Sequence, residues 1–344
     1  MLIIRPIRSS DFSALKQIAI ESGHGFTSLP NNEPLLLSKI ERAEQSFAAK
    51  VSQPGQQSYL FVLEDSDSGD IMGITGIEAA VGLGAPFYHY HLASHMHYSP
   101  SVGVRKLIKI LNLCNDYTGA SEVCTLFVRE KFRKGLSGQL LSRVRYLFMA
   151  NHPERFSNLV IAEMRGVSNE HGHSPFWAWL EEHFFGIDFP TADYLVGIGD
   201  KAFIAELMPK YPIYTSLLSQ QAQDVIGKVH SKTMPALRLL EKEGFVHRGY
   251  VDLFDAGPTV EVALKNIRTV RQSHTCSVEI SEVGQEFQAG GESIMLCNTQ
   301  VQSFRATVSQ EGHYDALRDK LIISPHLAQM LLLAEGDNAR CIAL

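Results

Sequence analysis

The sequence has 344 residues, 45% hydrophobic and 20% charged, and 31 Lys and Arg against 37 Asp and Glu give a formal charge of −6. A chain of this size buries its own core without disulfide or metal staples, and its acidic balance argues against a nucleic-acid binder, which carries a basic surplus. No run of about 18 apolar residues is present, the start MLIIRPIRSSDF lacks the zones of a signal peptide, and five cysteines without CxxC spacing suit reduced thiols in a cytoplasm.

LIIRPI reads as a first strand. The residues at 12, 15, 18 and 19 then have helical spacing, with Ser10 or Asp11 as the N-cap. A loop, SGHGFTSLPNNEP, leads to a second amphipathic helix near 35–49. SYLFVLED, IMGITGIEAAVG and FYHYHLASHMHY read as antiparallel strands, and SEVCTLFV as a fourth. The segment REKFRKGLSG runs into the helix QLLSRVRYLFMA, and NLVIAEM is a fifth strand. Residues 175–230 are mostly helical. The helix PALRLLEKEG has Gly244 as its stop, and the strands FVHRGYVDLF and TVEVAL follow it. After a boundary at 256–274 the pattern becomes short β segments, closing on a helix-like stretch, HLAQMLLLAEGD, with Gly336 as its stop.

The most informative local feature is the strand, loop and helix over 121–150. Free N–H groups at a helix N-terminus favour phosphate, and Arg133 and Lys134 beside a loop of small residues reinforce this. A solvated basic turn is the alternative. The histidines His89, His91, His95 and His97 place 89 and 91 on one strand face. No Cys or carboxylate ligands lie nearby, so no metal site is expected, and a half-buried strand or subunit contact accounts for them.

The order of LIIRPIRSSDFSALKQIA, the strand meander, this loop and LLEKEGFVHRGYV resembles the Gcn5-related N-acetyltransferase fold, which is α+β: a mixed sheet with flanking helices. In that family the pyrophosphate loop has the form R-x-x-G-x-G. Arg133 aligns with its Arg and Gly138 with its last Gly, while Leu136 stands at the first Gly and Gly135 falls one place early. The strings HGFTSLPNNEPLL, YTGASEVCTLFV, AEMRGVSNEHGHSPFW and AFIAELMPKYPIYTSLLSQQAQDVIGKVHSKTMPALRLLEKEGF resemble the arginine N-succinyltransferase family.

The resemblance implies an acyltransferase domain over 1–265 with a helical insertion near 170–230, and a small β-rich module over 266–344. It implies transfer of succinyl from succinyl-CoA, a co-substrate rather than a bound cofactor, to the α-amino group of L-arginine, as the first step of a catabolic route to glutamate. Other readings are a transferase of the same fold acting on another amine such as ornithine, and a non-catalytic regulator that binds CoA or arginine. A cytoplasmic protein without membrane or nucleic-acid partners is expected, and a homo-oligomer is compatible with it.

His230 matches the family's catalytic proton donor, a task histidine suits near neutral pH; a surface His at a helix C-terminus is the alternative. Leu126 matches a succinyl-CoA contact, made through its backbone because its side chain has no donor. Core packing is the other reading of Leu126. Glu163 and Glu170 are candidates for the guanidinium, and Arg165 for a carboxylate; a structural ion pair of Glu163 with Arg165 is the competing explanation.

Overall fold

The computed structural model describes residues 1–344 except 24–25, 134 and 282–292. The first half runs β1 (Leu2–Pro6), α1 (Phe12–Ser22), α2 (Glu33–Ala48), β2 (Ser58–Asp65), β3 (Ile71–Glu78), β4 (His89–Ser99), β5 (Val104–Cys114), β6 (Ser121–Val128), α3 (Ser137–Asn151) and β7 (Leu159–Glu163). Short helices follow, α4 (Pro175–Leu180), α5 (Phe189–Gly197), α6 (Ala202–Leu207) and α7 (Gln220–Val225), with a two-residue β8 (Ile213–Tyr214) among them. Then come α8 (Met234–Glu243), β9 (Val246–Val251), β10 (Pro258–Ala263) and α9 (Arg268–Gln272). The tail holds β11 (His274–Ile280), β12 (Ile294–Asn298), β13 (Ala306–Ser309), β14 (Gly312–Asp315), β15 (Lys320–Ile323), α10 (Pro325–Leu331) and β16 (Asn338–Ala343).

One mixed sheet joins the sixteen strands of the described residues, in the order β14-β15-β11-β16-β12-β13-β1-β2-β3-β6-β7-β10-β9-β4-β5-β8. The mixed sheet, flanking helices, helical insertion and β-rich tail are those expected of the sequence. The strands of the tail continue the main sheet through the pair Ile4↔Ala306.

Local chemistry explains the elements. β2 is buried on both faces, so SYLFVLED is nearly continuous in apolar residues. In α2, Asn32 accepts the Leu35 N–H at 3.1 Å and Pro34 occupies the first turn. Its Leu36, Ile40, Ala43 and Phe47 recur at helical spacing and face the core. Phe47 and the α3 residue Phe148 both pack edge-on against Tyr59 or Phe61 of β2. Gly73 lets α3 approach β3: a Cβ there would lie 2.6 Å from the Phe127 carbonyl and 2.8 Å from Leu141.

Three expectations are corrected. Asp11 precedes α1 but makes no side-chain cap; its carboxylate accepts from the buried Arg5 guanidinium at 2.7 and 2.9 Å and from the Arg8 N–H at 2.8 Å. Residues 104–114, not anticipated as a strand, form β5. The tail does not end on a helix. Leu332 adopts a left-handed φ of 56° and stops α10 early, Gly336 lies in a later turn, and β16 follows.

Candidate active site

The site grows out of an irregularity in β6. Its register with β3 slips by one residue: Ile74 pairs with Phe127, but Gly76 pairs with Cys124. Thr125 and Leu126 therefore share one place opposite Thr75, and Thr125 takes a φ of 53°. A left-handed conformation is costly for a β-branched residue, so the surrounding sheet enforces this bulge. On its other side β6 runs parallel to β7 for only two pairs, Ser121↔Val160 and Glu122↔Ile161. Leu126 thus has no register partner on β3 and lies past the last pair with β7. Where neighbouring strands part in this way, a backbone N–H at the gap is the kind of fixed donor that stabilises a developing oxyanion.

Past β6 the chain makes a short 3-10 turn at Glu130–Phe132 and enters the fifteen-residue α3. Arg133 donates from Nε to the Val128 carbonyl at 2.8 Å, and its guanidinium lies 5.2 Å from the centre of the Phe127 ring. It braces the end of β6 as well as standing beside the loop. Gly135 has the left-handed φ, 62°, which Leu136 does not share at −95°. The glycine-requiring place is therefore Gly135, and the early position noted in the sequence is where the turn occurs. Gly138 sits in the first turn of α3, where a Cβ would meet no atom within 4 Å. Lys134 lies outside the described residues.

The end of β7 brings Arg165 and His230 together. An isolated bridge joins Gly166 to Val229, and the His230 N–H donates to the Arg165 carbonyl at 2.9 Å. Gly166 N–H in turn donates to buried Asp255 Oδ2 at 2.6 Å. His230 Nδ1 accepts the Lys232 backbone N–H at 3.1 Å. A neutral ring so held carries its proton on Nε2. Desolvation lowers the His230 pKa first, the Arg165 charge next, with a backbone hydrogen bond at Ser168 pulling the other way. Arg165 donates to Ser168 Oγ at 2.9 Å, while its buried Nε finds no partner among the described residues. Burial also lowers the Arg165 pKa.

Glu163 makes no ion pair with Arg165. Its Oε1 lies 2.9 Å from Nε2 of the fully buried His89, although the two are not aligned for a hydrogen bond. Glu122 shares this side of the sheet, and burial followed by the Glu163 and Glu78 charges pushes its carboxyl well above the usual range. Burial and Glu163 raise Asp252 as well. Such crowding of carboxyl groups favours an incoming cation. Glu170 stands apart from these groups in an exposed turn. The histidines of β4 divide: His89 and His91 bracket the mutually tilted rings of Tyr117 and Tyr250, and His95 and His97 are exposed. Among the described residues no three His, Cys, Asp or Glu side chains form a metal-binding group.

A family model described as the arginine N-succinyltransferase beta subunit matches residues 2–269, and the model of its C-terminal domain matches 276–343. The chain belongs to the arginine N-succinyltransferase family. It is 46% identical over 344 residues to the arginine N-succinyltransferase of Escherichia coli strain 55989, covering 100% of this chain and 98% of that one. The relative from strain SE11 matches at the same identity and coverage. Among solved structures, the arginine/ornithine succinyltransferase subunit AI of Pseudomonas aeruginosa is similar with a TM-score of 0.90 and 36% identity, covering 100% of this chain and 98% of that chain.

Within this arginine N-succinyltransferase fold, sequence reasoning passed over Glu122, Asp252 and Thr259, and weighed His89 only as a metal ligand or strand residue. Glu122 had a signal, as the one charged residue of its strand, two places from Cys124 and four from Leu126. Thr259 faces Glu163 across the β7–β10 ladder, and its buried hydroxyl has no hydrogen-bond partner among the described residues. Nothing local marks it.

Proposed function

We propose that this chain transfers succinyl from succinyl-CoA to the α-amino group of L-arginine by direct attack, giving N2-succinyl-L-arginine and CoA. The observation that carries the reading is the 46% identity along the whole chain to an arginine N-succinyltransferase. The parting of β6 from β7 beside Leu126 supports it, because an acyl transfer needs a fixed donor where the thioester oxygen gains charge.

An α-amino group is largely protonated at pH 7: one proton leaves to solvent before the amine attacks, and the second, released as the C–N bond forms and the C–S bond breaks, reaches the departing thiolate through water, giving CoA. In this scheme the loop at Arg133, Lys134, Gly135 and Gly138 and the N-terminus of α3 hold the CoA phosphates. Leu126 N–H faces the thioester oxygen. His230, neutral and protonated on Nε2, donates to the charge that develops on the oxyanion or departing sulfur. Glu163, with Glu122 behind it, suits the guanidinium, and the unpartnered Arg165 Nε suits a carboxylate of arginine or succinyl. Glu170 takes at most a place on the rim. The chemistry is assigned to residues 1–265, and the strands of the tail extend the sheet. We place the enzyme in the cytoplasm, since all five cysteines are free thiols and no helix among the described residues is long and apolar enough to cross a membrane.

Thiol release with a panel of acyl-CoA donors and amines tests this. Succinyl-CoA with arginine should give the highest kcat/KM, and no release with any amine would overturn it in favour of a binding protein. Ornithine is the second acceptor to assay, because the similar Pseudomonas aeruginosa subunit is named for both arginine and ornithine.

A further inference from the structure

The hairpin of β4 and β5 leaves the body of the molecule partway along its length. β4 pairs with β9 only at Tyr90 and His91, and β5 pairs with β8 only at Ile110 and Leu111. Beyond those pairs, residues 94–107 are held by the β4–β5 ladder alone, an arm of about 20 Å at ~3.3 Å per residue. A two-stranded hairpin without cover is marginal in water. This one nevertheless exposes Met96 at 57%, Tyr98 at 57%, Val102 at 70%, Val104 at 53% and Leu107 at 60%.

Met96 stands opposite Leu107, and Tyr98 opposite Arg105, whose guanidinium lies 5.1 Å over the Tyr98 ring. At the root, exposed Tyr211 and Leu217 flank β8 and extend the apolar surface. Residues 89–114 contain Arg105, Lys106 and Lys109 and no Asp or Glu, so the rest of the chain carries −9.

We propose that this hairpin is an arm that packs on the acidic body of a second copy of the chain, in a two-fold dimer where each copy lends its arm to the other. Apolar burial supplies the cover that the hairpin lacks. The charge pattern sets the partner surface: arm against arm would bring like charges together, whereas arm against body pairs opposite ones.

Sedimentation velocity on the full chain tests the proposal. The wild type should be a dimer at micromolar concentration, and its dissociation constant should rise with salt. Met96→Asp with Leu107→Asp should raise that constant at least 100-fold while circular dichroism stays unchanged. Should that variant fail to fold, the charge reversal Arg105→Glu, Lys106→Glu, Lys109→Glu gives the decision by the same measurement. Carbodiimide cross-linking of mixed 14N and 15N dimers should join Lys106 or Lys109 to a carboxylate of the other isotope. A wild type that stays monomeric overturns the proposal, whatever other protein it captures. So does a dimer that resists both variants or gives no such cross-link.

Discussion

Replacing His230 by Ala is the perturbation with the clearest outcome. The ring is held in one tautomer by the Lys232 N–H on Nδ1, and desolvation together with Arg165 keeps its pKa below the ordinary 6.5. Near pH 7 the group is therefore a neutral Nε2–H donor and not an imidazolium acid. Losing one preorganised donor to a developing charge costs about 10²–10³ in rate, the lower half of the wider span of about 10²–10⁴ for general acid–base groups. We expect kcat for succinyl-CoA and arginine to fall by about 10²–10³, with both KM values nearly unchanged, because the bond forms only as charge appears. The sign of the pH dependence follows from the lowered pKa. His230 is protonated only as pH falls below 6.5, and protonation displaces the Lys232 N–H and sets a second cation beside Arg165. Wild-type kcat should thus drop on the acid side, and His230→Ala should lose that limb. Pre-steady-state thiol release across pH 5–9 measures it. A folded variant that keeps more than half the wild-type kcat, or an alkaline limb that vanishes with His230, would refute the assignment.

Arg133→Ala should raise KM for succinyl-CoA about tenfold with kcat held, the size of one charge-assisted hydrogen bond made in ground and transition state alike; an unchanged KM in steady-state assays removes Arg133 from the phosphate site. Glu163→Gln should raise KM for arginine and spare KM for succinyl-CoA, and equal effects on both would count against a guanidinium role. Asp11→Ala strips a buried partner from Arg5, so urea unfolding should show a loss of about 3–5 kcal/mol with kcat of the folded fraction intact. Thermal melts with saturating CoA should move upward for the wild type and less for Arg133→Ala, since only a ligand bound to the folded state adds stability.

Much of the core was legible because burial imprints itself on sequence. β2 is apolar throughout as a strand covered on both faces must be, α2 shows helical spacing after Asn32, and Gly244 stops α8 at a φ of 101°. β5 was hidden for the opposite reason. Its outer part, VRKL, is exposed on both sides, so no alternation between inside and outside marks it. β16 was obscured by the apolar run before it, where the backbone turns at Leu332 without a glycine to announce it. At the site, the loop proposed for phosphate was marked by Arg133 and the small residues around it, but its turn glycine appeared only with the φ of Gly135. The pairing of Glu163 with His89 brings together residues 74 positions apart, and no local pattern encodes a neighbour that distant.

The join between β1 and β13 bears on how the chain is made. Phe304 packs edge-on against Phe61 and Phe148 in the central core, and Thr307 Oγ1 donates to the Leu2 carbonyl beside the Ile4↔Ala306 pair. During synthesis β1 and β2 can pair early, yet the outer flank of β1 and the aromatic pocket wait for a segment made some 240 residues later. At about 5–20 residues per second that interval is roughly 10–50 s. Throughout it the nascent protein presents an open strand edge and an unfilled apolar cavity, the features that recruit holding chaperones. Residues 304–307 therefore close a structure that residues 2–6 begin.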